Sequence, residues 1–119
     1  MSAPNILQAS TIVGKTGVLN VTTTPTAIVS NGTGSNSVFK INALVIANID
    51  GTNACDVTVD ILRSSVAYRI VNTVSGFADS SFIAIGRDYP IYLEEGDSLR
   101  ITASANGSLT GVCSYEVVS

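Results

Sequence analysis

Apolar and polar positions alternate with a period of two along most of this chain, and no window holds apolar residues at helical spacing for three turns. The alternation, rich in β-branched residues, predicts strands over residues 6–13, 18–23, 27–30, 38–49, 54–62, 66–72, 82–85, 91–93, 98–104 and 109–117. Between them stand Asn31-Gly32-Thr33-Gly34-Ser35-Asn36, Asp50-Gly51-Thr52-Asn53, Gly86-Arg87-Asp88-Tyr89-Pro90, Glu94-Glu95-Gly96-Asp97 and Asn106-Gly107-Ser108. The Gly, Asn, Asp and Pro residues in these stretches supply the backbone geometries that turns require. Short strands at this spacing predict an all-β, single-domain antiparallel β-sandwich of jelly-roll or Ig-like kind, with about 8–10 strands. Pro4, Gly14 and Gly17 set the beginning apart, so residues 1–17 are expected as an N-terminal strand or extended arm and residues 18–119 as the sandwich.

Strict alternation also assigns faces. In the strand over 38–49, Phe39, Ile41, Ala43, Val45, Ala47 and Ile49 share one wholly apolar face. The other face carries Val38, Lys40, Asn42, Leu44, Ile46 and Asn48, polar at both ends with Leu44 and Ile46 between, a mixture that marks Leu44 and Ile46 as a candidate subunit interface. From 54 to 62, Cys55, Val57, Val59 and Ile61 are expected inward and Asp56, Thr58 and Asp60 toward water.

Composition sharpens the expectation of contacts between subunits. Hydrophobic residues make up 45% of the 119 and charged residues 13%, with a mean hydropathy of +0.40. An ordinary soluble domain carries about 25% charged residues, so apolar surface is expected to be covered by other subunits. The longest apolar run, Ala43 to Ala47, is far short of the ~18 residues of a membrane-crossing helix, and the beginning of the chain lacks a secretion signal's basic and apolar blocks. Neither a membrane nor an oxidising compartment is expected. Six Lys plus Arg against nine Asp plus Glu, with a formal charge of -3, form no basic stripe, and nucleic acid is not expected as a partner.

Candidate chemistry is thin. The chain has no histidine, so a serine nucleophile would lack its usual base, and no catalytic residue, cofactor or metal is assigned. Gly14-Lys15-Thr16 imitates the end of a phosphate loop, but the glycine such a loop needs upstream is replaced by Ala9, and a strand follows instead of a helix. Glu94, Glu95 and Asp97 are too close together to flank a sugar as a hydrolytic pair. They are expected as solvated flanks of a turn, with Glu94 and Glu95 in a type I turn and Gly96 as its structural residue, at positive φ. Asp50-Gly51-Thr52-Asn53 is expected as a hairpin connection rather than a metal loop. Cys55 and Cys113 fall on the apolar parity of their strands and are expected as buried free thiols, with a disulfide between them the open alternative.

Two long stretches, "TAIVSNGTGSNSVFKINALVIANIDGTNACDVTVDI" and "IYLEEGDSLRITASANGSLTGVCSYEVV", resemble small virion structural proteins of tailed bacteriophages, especially those of marine and cyanobacterial hosts. The likeness spans nearly the whole chain, rests on overall pattern and carries no active-site residues. It implies a non-enzymatic β-sandwich built into a virion, by analogy with head decoration (cement) proteins that bind the major capsid protein from outside, often as homotrimers. A tail, neck or fibre component is the alternative within that resemblance. A carbohydrate-binding module using Tyr89, Tyr92 and the acidic loop is the alternative outside it.

Overall fold

The computed structural model describes residues 10–119 as nine strands: β1 (Ile12–Asn20), β2 (Thr26–Ser30), β3 (Val38–Asn48), β4 (Cys55–Arg63), β5 (Val66–Gly76), β6 (Ser81–Ile85), β7 (Ile91–Leu93), β8 (Ser98–Ala103) and β9 (Leu109–Val118). They form two antiparallel sheets. The five-stranded sheet runs β1-β9-β3-β6, with β7 also paired to β3, and the four-stranded sheet runs β2-β8-β4-β5. Residues 1–9, which hold most of the expected arm and the first half of the strand over 6–13, lie outside the described residues.

The pairings nest. β1 pairs β9, β2 pairs β8, β3 pairs β6 and β7, and β4 pairs β5, which is the partnership of one long hairpin with its tip at Ser64-Ser65. Rolling that hairpin up sets β9 beside β3 and β8 beside β4, the two remaining pairings. The result is the double-sheet jelly roll, so the sandwich is of that kind and not Ig-like. Burying the inner faces of both sheets against each other excludes water from Ile41, Leu44, Ile46, Val57, Val59, Leu93, Leu99 and Ile101, each contributing about 1.5–3 kcal/mol of transfer free energy. Among the described residues no helix is long and apolar enough to cross a membrane.

Two expectations are corrected here. The boundary drawn between residues 17 and 18 falls inside β1, which runs unbroken through both glycines and pairs with β9 along its whole length. Gly17 is there for close approach: a Cβ at this position would sit 3.2 Å from the Ile28 carbonyl oxygen on the opposing sheet.

The second correction concerns Leu44 and Ile46, which are fully buried in the domain's own core and form no subunit interface. The cause is a β-bulge. The register with β9 shifts between Ile41 and Ala43, so Asn42 is an extra residue, and the inward set changes from Phe39 and Ile41 before it to Leu44, Ile46 and Asn48 after it. Strict alternation through Asn42 therefore assigns the second half of β3 to the wrong side. Val45 and Ala47 are the residues that look outward.

Candidate assembly surface

The outer face of the five-stranded sheet carries a row of large apolar side chains in register. Val18 of β1 pairs Val112 of β9, Val112 pairs Val45 of β3, and Val45 pairs Ile83 of β6. Paired residues on antiparallel strands project to the same side, so the four form one stripe across three strand spacings, about 14 Å. Val18 is 74% exposed and Ile83 68%, values that leave most of each side chain in water. The adjoining rows are Asn20–Thr110–Ala47–Ser81 on one side and Thr16–Ser114–Ala43 on the other. None of these residues is charged. Charge appears only where Lys40, Arg87 and Glu116 line a shallow hollow of about 400 Å3 with Asn42, whose Nδ2 donates to Glu116 at 3.0 Å.

The four-stranded sheet presents a different outer face. Its central row is Ala27–Arg100–Asp60–Arg69, and Arg100 Nε donates to Asp60 Oδ1 at 2.8 Å. Asp60 points outward as expected, yet it is buried rather than bathed in water. The two faces thus differ in kind: one has an ionic central row, the other an apolar stripe flanked by uncharged rows, with its charges gathered at the hollow.

The acidic turn is a fastening. Asp97 N–H donates to the Glu94 carbonyl at 3.0 Å, and Gly96, third of the four residues, has φ of 90°, which makes the turn type II rather than type I. Asp97 is buried, not a solvated flank. Its carboxylate accepts from Arg63 Nε at 2.8 Å, from Arg63 Nη2 and from the Glu94 amide at 2.9 Å, while Arg63 also reaches exposed Glu94 at 2.8 Å. The Arg63 hydrogen bond leads the causes that hold the Asp97 carboxyl below its ordinary value, against the opposing effect of burial; the Arg63 guanidinium is correspondingly pushed up by Asp97. Buried Asn31 completes the joint, its Nδ2 donating to the carbonyls of Ser37 and Leu93 at 2.9 Å each. At the other end of β3, buried Asn48 donates from Nδ2 to the carbonyls of Asn53 and Gly76 at 3.0 and 2.8 Å. Both asparagines sit beside Gly- and Asp-rich turns, and their place at strand ends is the only sequence signal for them.

The remaining candidates are scattered. In the 50–53 connection Asp50 accepts the amides of Thr52 and Asn53, the bonds that lower its pKa, so its carboxylate closes the loop on itself. Lys15 lies on β1 opposite Tyr115. Tyr89 is 81% exposed in the turn before β7 and Tyr92 half-exposed on β7, while of the acids expected to work with them Glu94 and Asp97 are engaged by Arg63 and Glu95 accepts from the Asn36 amide at 2.8 Å. Cys55 and Cys113 are both free and both buried, and burial raises the Cys113 thiol to about 11.

No family model and no curated protein matches the chain. A chain of a solved structure described in the words "Bacillus endospore appendages form a novel family of disulfide-linked pili" is similar to it with a TM-score of 0.55 and 17% identity, over 100% of this chain and 96% of that chain. At that identity the likeness is one of fold, and it extends over the whole jelly roll.

Proposed function

We propose that this chain is a non-enzymatic structural subunit that works by self-association, with the apolar stripe on the outer face of the five-stranded sheet as its contact surface. The observation that carries the reading is the stripe Val18–Val112–Val45–Ile83, apolar side chains in register across four strands, with Val18, Val112 and Ile83 exposed and Val45 partly buried between them. A second copy is the occupant that fits best. The stripe and the two rows that flank it carry no charge, so two copies can bring these rows together without burying a charge.

The resemblance to tailed-phage virion proteins supports the finer reading: a head decoration subunit that reinforces the capsid through many weak contacts, assembled in the host cytoplasm and arranged as a homotrimer against the major capsid protein. The second reading, a tail, neck or fibre component, draws on the fold it shares with a pilus subunit. With both cysteines of the sequence buried, association here is non-covalent in either reading.

Sedimentation velocity over micromolar concentrations tests the proposal, since the mass counts copies. Replacing Val18 and Ile83 together with Asp is expected to shift the protein to monomer. An unmodified chain that is monomeric throughout overturns self-association. Quantitative proteomics of the particle then separates a head protein, present in many copies, from a tail part present in few.

A further inference from the structure

We infer that the outer edge of β1 is a pairing edge for β1 of a second copy, joined antiparallel about a two-fold axis at Thr16; this rests on the self-association reading above. Thr11 and Ser119 exchange both backbone hydrogen bonds at 2.9 Å, which fixes the phase of the β1–β9 ladder. Val13, Lys15, Gly17 and Leu19 therefore direct their amides and carbonyls at β9. Ile12, Gly14, Thr16, Val18 and Asn20 direct theirs outward, where among the described residues no strand pairs with them.

The other sheet edges are short or interrupted, whereas this one, which carries a single charge at Lys15, is not. β2 has five residues and a register shift, and β5 carries two register shifts, Arg69 and a positive φ at Thr73. β6 and β7 are separated by the turn that ends in Pro90. β1 offers nine residues in one register without a bulge or proline, a template of the kind that proteins usually interrupt.

Charge selects the partner and the register. Two copies of β1 paired about Thr16 set Ile12 against Asn20 and Gly14 against Val18, using every outward residue for about ten hydrogen bonds. Lys15, the sole charge of the strand, then lies opposite Gly17. Pairing about Lys15 would oppose two ammonium groups, and pairing about Gly17 would leave Ile12 without a partner. The Thr16 register also carries the five-stranded sheet from one copy into the next, so its outer apolar stripes become parts of one larger face. Such a contact joins copies in twos; in a trimeric arrangement it is a link between trimers.

Two measurements test this, one on the unmodified chain and one on Thr16→Cys. Amide hydrogen exchange should slow about tenfold or more at Ile12, Gly14, Thr16, Val18 and Asn20 as concentration rises through the association range. In the Thr16→Cys variant the introduced thiol should form an intermolecular disulfide under mild oxidation, because antiparallel hydrogen-bonded partners have Cα atoms about 5.5 Å apart, within disulfide reach. The buried native thiols give little background. A protein that associates while these amides keep exchanging freely overturns edge pairing and leaves face-to-face association standing. Protected amides without the engineered cross-link overturn the two-fold register in favour of β1 on a different edge. A protein that never associates overturns both readings.

Discussion

Arg63 and Asp97 meet through two parallel hydrogen bonds, Nε to Oδ1 at 2.8 Å and Nη2 to Oδ2, fastening the end of β4 to the turn that precedes β8. The carboxylate is buried and the guanidinium half-exposed, so the pair is neither a solvated surface bridge nor a fully desolvated one. Asp97→Asn should lower unfolding free energy by about 1–3 kcal/mol in urea titrations. Glu94→Gln with Glu95→Gln touches exposed partners and should change it by less than about 1 kcal/mol.

The same pair sets an acid limit. Because Arg63 holds the folded Asp97 carboxyl below its unfolded value of about 3.9, the stabilisation is complete above that value and fades as pH falls through the lower folded one. Thermal melts should find wild type and Asp97→Asn converging below about pH 4, with their difference constant from about pH 5 to 7.

Gly96 tests the turn itself. Its φ of 90° is strained for any residue with a Cβ, although the nearest atom to a built Cβ, Thr33 Oγ1 at 3.6 Å, leaves room for one. Gly96→Val should cost about 1–3 kcal/mol by backbone strain alone, read as a lower denaturation midpoint with an unchanged slope.

The β4–β5 tip predicts a gain. Ser64 and Ser65 have φ of 53° and 64°, the left-handed pair of a two-residue type I′ hairpin that Asn-Gly fits better. Ser64→Asn with Ser65→Gly should raise stability by about 1 kcal/mol, seen as a higher Tm at fixed protein concentration.

Leu44 and Val45 are neighbours with opposite fates. Leu44→Ala opens a cavity in the core and should cost about 2–5 kcal/mol of folding free energy. Val45→Ala removes little from the core and should appear instead as weaker association by sedimentation.

Most of the strand layout is legible in the sequence because alternation and turn chemistry agree, as at Asn31 to Asn36 and at Glu94 to Asp97. What is not legible depends on partners distant in the chain. Asp97 looks like one more solvated acid until the jelly roll brings Arg63 beside it from 34 residues away. Ser64-Ser65 is a turn without the usual Asn-Gly, held by the pairing of Arg63 with Val66. The apolar stripe joins β1, β9, β3 and β6, strands that no local window contains. Alternation points to β3 for the candidate interface, and β3 does contribute to the stripe, but one extra residue decides the side.

That residue, Asn42, makes β3 a strand written in two frames. Deleting it would close the bulge: Ile41 opposite Tyr115 would be followed directly by Ala43 opposite Ser114, so alternation would become regular with Leu44, Ile46 and Asn48 still inward and Val45 and Ala47 still outward. In any chain that keeps this fold, the two halves of β3 should therefore keep the same inward side chains whether this extra residue is present or absent.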